Sequence, residues 1–144
     1  MHGYALEYYR DVYVKQKGML GVDSERTLFT AFSMGESLLT NGLFAEAKLF
    51  CRKNLNRSKR VLGRDHSTTF GFSRVYARSL FCGAEGPRAE LEEALTVLED
   101  VAQRIDRVRG ASHPERVGVE HELDAVRKLL GSSQEDQNAT DAPP

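Results

Sequence analysis

Two arginines four residues apart, Arg74 and Arg78, carry the clearest chemical signal in this 144-residue chain. On a helix that spacing points both side chains the same way. Two adjacent guanidinium groups can hold a carboxylate through bidentate bonds. The same pair also fits an ordinary solvated surface, with Glu36 as a neighbour, because exposed arginine is common. Catalytic patterns are incomplete. Tyr13 and Lys17 have the Tyr-x-x-x-Lys spacing of some dehydrogenases, but no glycine-rich strand–helix turn accompanies them. Gly71-Phe72-Ser73-Arg74-Val75 lacks the closing glycine of a nucleophile elbow. Cys51 suits buried filler, and nothing near Cys82 in sequence supplies an activating base. His66 and His113 each follow a glycine by three residues, which makes them marks of a helix start rather than metal ligands. The chain is therefore expected to be no enzyme, with no catalytic residues, no metal and no cofactor.

Residues 48 to 64 hold Lys48, Arg52, Lys53, Arg57, Lys59, Arg60 and Arg64 with no acid among them. Such a stripe could meet nucleic acid or an acidic partner. It equally describes the wet outer face of a helix, favoured near its C-terminal dipole. Lys+Arg is 20 against 21 Asp+Glu, a net charge of -1, so the chain is not a globally basic nucleic-acid binder. No apolar run approaches the roughly 18 residues of a membrane span, and Met1-His2-Gly3-Tyr4 does not open a secretory signal. A reducing, cytoplasmic setting is the expectation, since two cysteines build no disulfide framework.

The elements that must position these residues recur. Gly21, Gly63 and Gly110 close three stretches that align without gaps, at steps of 42 and 47 residues. Ala5, Ala47 and Ala94 each lie 16 residues before those glycines. The extra five residues fall in the turn-forming segment 83–87, where insertion is cheap. Each unit reads as two helices. Leu28, Ala31, Phe32, Met34, Gly35, Leu38 and Leu39 have helical spacing after a cap-type Asp23-Ser24, and Asn41-Gly42 ends that helix. Phe44, Ala47, Phe50, Cys51, Leu55 and Leu62 mark its partner. The next unit uses Asp65 as its cap, and Ser112-His113-Pro114-Glu115 has the spacing of a capping box before a last helix ending near Leu130. No stretch alternates with period two long enough for a strand. The prediction is an all-α solenoid of antiparallel helix pairs over 1–131. It comprises a half-repeat at 4–19, repeats at 23–62 and 65–109, and a closing helix at 112–130. The polar tail 132–144 is expected to be disordered.

These marks resemble a known repeat. LGVDSERT, NGLFAEA, VLG, LGRDHSTT and RGASHPER are similar to the 42-residue tetratricopeptide repeat of kinesin light chains and their relatives. The resemblance places small residues where helices cross, at Gly35, Ala77, Ala5, Ala47 and Ala94, with Met34, Tyr76, Leu38, Leu80 and Phe44 beside them. Asp124, Glu120 and Arg116 depart from the pattern, as a closing helix with one wet face should. The resemblance implies a protein-interaction module, an adaptor or scaffold, that binds a peptide or helix along its concave face. By register that face holds Phe29, Phe32, Ser33, Glu36 and Leu39, then Gly71, Arg74, Val75 and Arg78, then His121. The partner is expected to be a protein or peptide, preferably acidic; nucleic acid and membrane are not expected. Ser33 and Val75 stand where relatives often carry a groove asparagine. The second expectation is a structural subunit of an oligomer or longer assembly. Its contacts would come from the first helix, whose tyrosines Tyr4, Tyr8, Tyr9 and Tyr13 would rarely be left in water, and from the 83–87 loop.

Overall fold

The computed structural model describes residues 2–83 and 87–141, with side chains described for 3–83 and 87–132. Six helices follow one another: α1 (His2–Leu20), α2 (Glu25–Thr40), α3 (Phe44–Val61), α4 (Ser67–Phe81), α5 (Arg88–Arg109) and α6 (Pro114–Asp141). There is no strand among the described residues. Each helix packs on the next in sequence, α2 also packs on α4, and α4 touches α6. No Cα of α1 comes within 8 Å of α3, nor any of α3 within 8 Å of α5. The layer α2, α4, α6 is thus the tighter one, and the array curves around it. Gly21, Gly42, Gly63 and Gly110 take positive φ, from 74° to 98°, and reverse the chain between helices.

The recurring small residues set the spacing. Ala31, Ala47, Ala77 and Ala94 are fully buried, among Leu28, Leu38, Phe70, Phe72, Leu98 and Ile105. A Cβ added at Gly35 would lie 2.7 Å from Cys51 Sγ, so a side chain there would hold α2 and α3 apart. Ala5, the same register position on α1, is exposed, since among the described helices α1 packs closely on α2 alone.

Helix starts differ from the sequence reading. Ser24 caps α2 by position but makes no side-chain bond. His66, not Asp65, caps α4, its Nδ1 accepting from the Thr68 amide at 3.1 Å. His113 does the same for the Glu115 amide at 3.2 Å. The aspartates are committed elsewhere. Asp23 pairs with Arg57 and Arg60 of α3, at 3.6 and 3.2 Å, and Asp65 pairs with Arg104 and Arg107 of α5, at 3.1 and 3.6 Å. These are one device used twice at equivalent positions. A second recurrent tie joins neighbouring outer helices: Arg10 to Glu46 at 2.7 Å, and Arg52 to Glu93 at 3.9 Å. Tyr76 reinforces the second, its hydroxyl accepting from Arg52 at 2.7 Å and donating to Glu93.

The last helix does not end near Leu130. It continues to Asp141, so the segment expected to be disordered from 132 is helical through that residue. No proline lies between Pro114 and Pro143, and lengthening a helix already started carries no new nucleation cost. The remainder of the tail, 142–144, lies outside the described residues, as do 84–86 of the insertion. No described helix is long and apolar enough to cross a membrane.

Candidate functional site

The inner layer carries one well-formed cleft, of about 270 Å³. Helical period places Phe29, Phe32 and Glu36 on one face of α2, and Ser67, Thr68, Gly71, Arg74, Val75 and Arg78 on the facing side of α4. Glu115, in the first turn of α6, completes the wall. The aromatic side is built in tiers. Phe72 is fully buried, Phe32 leans edge-on against it with centroids 5.9 Å apart, and Phe29 lies 6.3 Å from Phe32 and is 58% exposed. Gly71 makes this possible. A Cβ there would sit 2.6 Å from Phe32 Cε2, inside the ring's van der Waals envelope.

The charged side is less free than the sequence suggests. Arg74 forks onto Glu122 of α6, its Nη2 2.8 Å from Oε1 and its Nε 3.2 Å from both oxygens. Glu36 is not its ion-pair partner. Burial acts to lower the Arg74 pKa, but the bonds and charge of Glu122 outweigh it and the pKa is raised. Gly118 faces the same guanidinium and leaves no room for a Cβ. Arg78 makes no ion pair among the described residues, and neither does Glu36. The pair expected to clamp a carboxylate together therefore divides: Arg74 ties α4 to α6, and Arg78 acts on the Cys82 thiol one turn on.

The structure brings Phe29, Phe32, Glu36, Arg74, Val75 and Arg78 together in the cleft. Ser33 is half-buried and does not line it. Leu39 is buried in the core. His121 lies apart, exposed in a shallow hollow with Ala111, Arg116, Val117 and Glu120. The sequence reading missed Glu122, Glu115, Ser67 and Thr68. For Glu122 a signal existed, since it is the register equivalent of Val75; α6 turns that position, not the neighbouring His121, toward α4.

The other candidates settle into packing. Cys51 is fully buried beside Gly35, and burial, aided by the Glu36 charge, pushes its thiol from 9.0 up to about 12. Cys82 is exposed; partial burial raises its pKa, and Arg78 acts against that rise. Four members of the basic stripe are taken up by acids: Lys48 by Glu90 at 2.8 Å, Arg52 by Glu93, and Arg57 and Arg60 by Asp23. Lys53, Lys59 and Arg64 make no ion pair among the described residues. The four tyrosines of α1 divide, Tyr9 and Tyr13 packing on the core and Tyr4 and Tyr8 facing out. Among the described residues no three His, Cys, Asp or Glu side chains are grouped to hold a metal ion.

The tetratricopeptide repeat family model matches residues 33–68, from the middle of α2 to the start of α4. The chain carries a tetratricopeptide repeat. A crystal structure from Podosopora anserina, of nearly identical TPR-like repeats described as a kinesin light chain, superimposes with a TM-score of 0.79. It is 19% identical, and the match covers 99% of this chain and 69% of that one. A single-substitution variant of that protein gives a TM-score of 0.56 at 18% identity, over 95% of this chain and 82% of that one. At these identities the likeness is one of fold. No curated protein matches the chain.

Proposed function

We propose that the chain is an interaction module that seats a short segment of a partner protein in the cleft between α2, α4 and α6. The observation that carries this reading is the pairing of Phe29, an aromatic ring more than half exposed, with Arg78, an arginine that has no carboxylate partner among the described residues, across one cleft. An apolar anchor next to an uncompensated charge is the arrangement that concentrates binding energy in few residues. Helical-repeat arrays present such concave surfaces as a consequence of their stacking. The ligand preference is revised by the Arg74–Glu122 bond. Arg78 reads an acid without help from Arg74, while Glu36 opposes it with a negative charge. The preferred segment has an aromatic or aliphatic residue for the Phe29–Phe32 shelf and one acid for Arg78.

Selection from a displayed random peptide library, followed by calorimetry on the selected peptides, tests the proposal. The expected selection is apolar residues with a nearby Asp or Glu. Phe29→Ala and Arg78→Glu should each weaken binding about tenfold or more, about 1.4 kcal/mol. Peptides that bind equally well to both variants would place the site elsewhere.

A further inference from the structure

Phe29, Phe32 and Glu36 of α2 have Gly71, Arg74 and Arg78 as their equivalents 42 residues on, in α4. The two helices run side by side in the same direction. His66, at the start of α4, meets Glu25, at the start of α2, at 3.2 Å, and farther along Phe32 leans on Phe72. Equivalent residues therefore stand near the same level, and the cleft is layered. Its lower layer, toward the helix starts, is apolar: Phe29, with Phe32 lying over Gly71. Its upper layer is one carboxylate and one guanidinium, Glu36 and Arg78, which line the same cleft from opposite walls.

Neither charge of the upper layer is met within the described chain. Glu36 and Arg78 make no ion pair among the described residues, either with each other or with another group. Arg78 acts on the Cys82 thiol of its own helix, which burial keeps protonated and uncharged at neutral pH. Glu36 is exposed, and its field reaches the opposite wall, where it adds to that of Glu122 on Arg74. The equivalent place on α6 is Ala125, which brings no third charge. An acid seated at Arg78 is thus held one interhelical step, about 8–10 Å, from an uncompensated carboxylate. A ligand of acids alone satisfies one wall and is repelled by the other. A ligand that also brings a cation to Glu36 satisfies both walls and removes the repulsion.

An extended segment can supply both charges. Side chains on one face of such a segment recur about every 7 Å, and a lysine or arginine adds its own reach. A base and an acid two or three positions apart therefore span the cleft. The apolar shelf is on the Glu36 side, since Phe29, Phe32 and Glu36 share one face of α2. The apolar residue of the segment then falls on the side of its base, not of its acid. We propose that Glu36 and Arg78 act as a pair that selects a partner segment of mixed charge, with a basic residue for Glu36 and an acidic residue for Arg78. The proposal rests on the reading of the cleft as the seat of a partner segment, and adds the charge pattern of that segment.

Selection from a displayed random peptide library, on the wild-type chain and on the charge-swapped Glu36→Arg/Arg78→Glu chain, tests this. The two chains have the same net charge, and their helical circular dichroism should agree because neither side chain is buried. The wild type should select base and acid in the stated order about the apolar residue, and the swapped chain the reverse order. In calorimetry, Glu36→Gln should weaken the wild-type peptide about three- to tenfold, and should have no effect once the peptide's base is replaced by alanine. Acid-rich peptides without a base, an unchanged order on the swapped chain, or indifference to Glu36→Gln would each overturn the charge pattern. If such peptides still lose affinity on Phe29→Ala, the cleft itself stands. Peptides indifferent to both Phe29→Ala and Arg78→Glu would overturn the cleft reading and this proposal with it.

Discussion

At the scale of single residues, Gly35 and Cys51 meet closely across α2 and α3. Gly35→Ala places a methyl group 2.7 Å from Sγ in a core without slack, and overpacking of this kind costs about 1–3 kcal/mol. Removing the sulfur makes room. Chemical denaturation should therefore find Gly35→Ala/Cys51→Ala more stable than the sum of the single changes implies, and strict additivity would show that the two do not meet. The thiol also leaves a pH signature. Below its ordinary value of 9.0 the thiol is protonated whether the chain is folded or not. Above 9.0 the unfolded chain releases the proton, while the folded chain keeps it until about 12. The folded state then binds one more proton, so this group's stabilising contribution falls as pH rises, by about 1.4 kcal/mol per unit across that window. Cys51→Ala should flatten the alkaline limb of stability against pH by that amount. At neutral pH a thiol reagent should modify Cys82 alone until the protein unfolds; one fast and one denaturant-dependent phase is the expected record.

Among the elements, the contact between α4 and α6 rests heavily on Arg74 and Glu122. Their side chains are 26% and 13% exposed, so neither is well solvated. Arg74→Ala leaves Glu122 charged and poorly hydrated, and should cost about 1–3 kcal/mol by thermal or urea unfolding. Glu122→Gln in the same background should recover part of the loss. By contrast Asp65→Ala, at an exposed pair of bonds, should cost under about 1 kcal/mol. The helices themselves were legible because glycines and alanines at fixed distance mark turns and crossings directly in the sequence. The caps were not: an aspartate beside a histidine offers two acceptors, and only the neighbouring α3 or α5 arginine decides which of them is engaged across repeats. The cleft was legible where register alone decides, at Phe29, Phe32, Arg74 and Arg78. It was misread at His121, because register does not give the rotation of a terminal helix that meets only one inner neighbour. The end of α6 was misread because polar composition argues against burial, and a helix can continue without being buried.

For the molecule as a whole, contacts run almost entirely between sequence neighbours, and the two ends are unlike. One ends in tyrosine and methionine, the other in aspartate, arginine and lysine. The α6 end carries Val119, Leu123 and Val126 into the core, where they are buried. Deleting 112–144 should thus lower stability by several kcal/mol, read by urea unfolding, since each such side chain contributes about 1.5–3 kcal/mol when buried. The helical units share a plan without being interchangeable. Phe29 and Gly71 occupy the same place in successive units, 42 residues apart, and Phe32 needs the second to have no side chain. A tandem duplication of residues 22–63 would therefore drive the new phenylalanine into the ring before it, and would be relieved by glycine at that one place. The order of the units is keyed like a lock: the unit that follows Phe32 must bring a residue without a side chain to the place that Phe29 holds in its own.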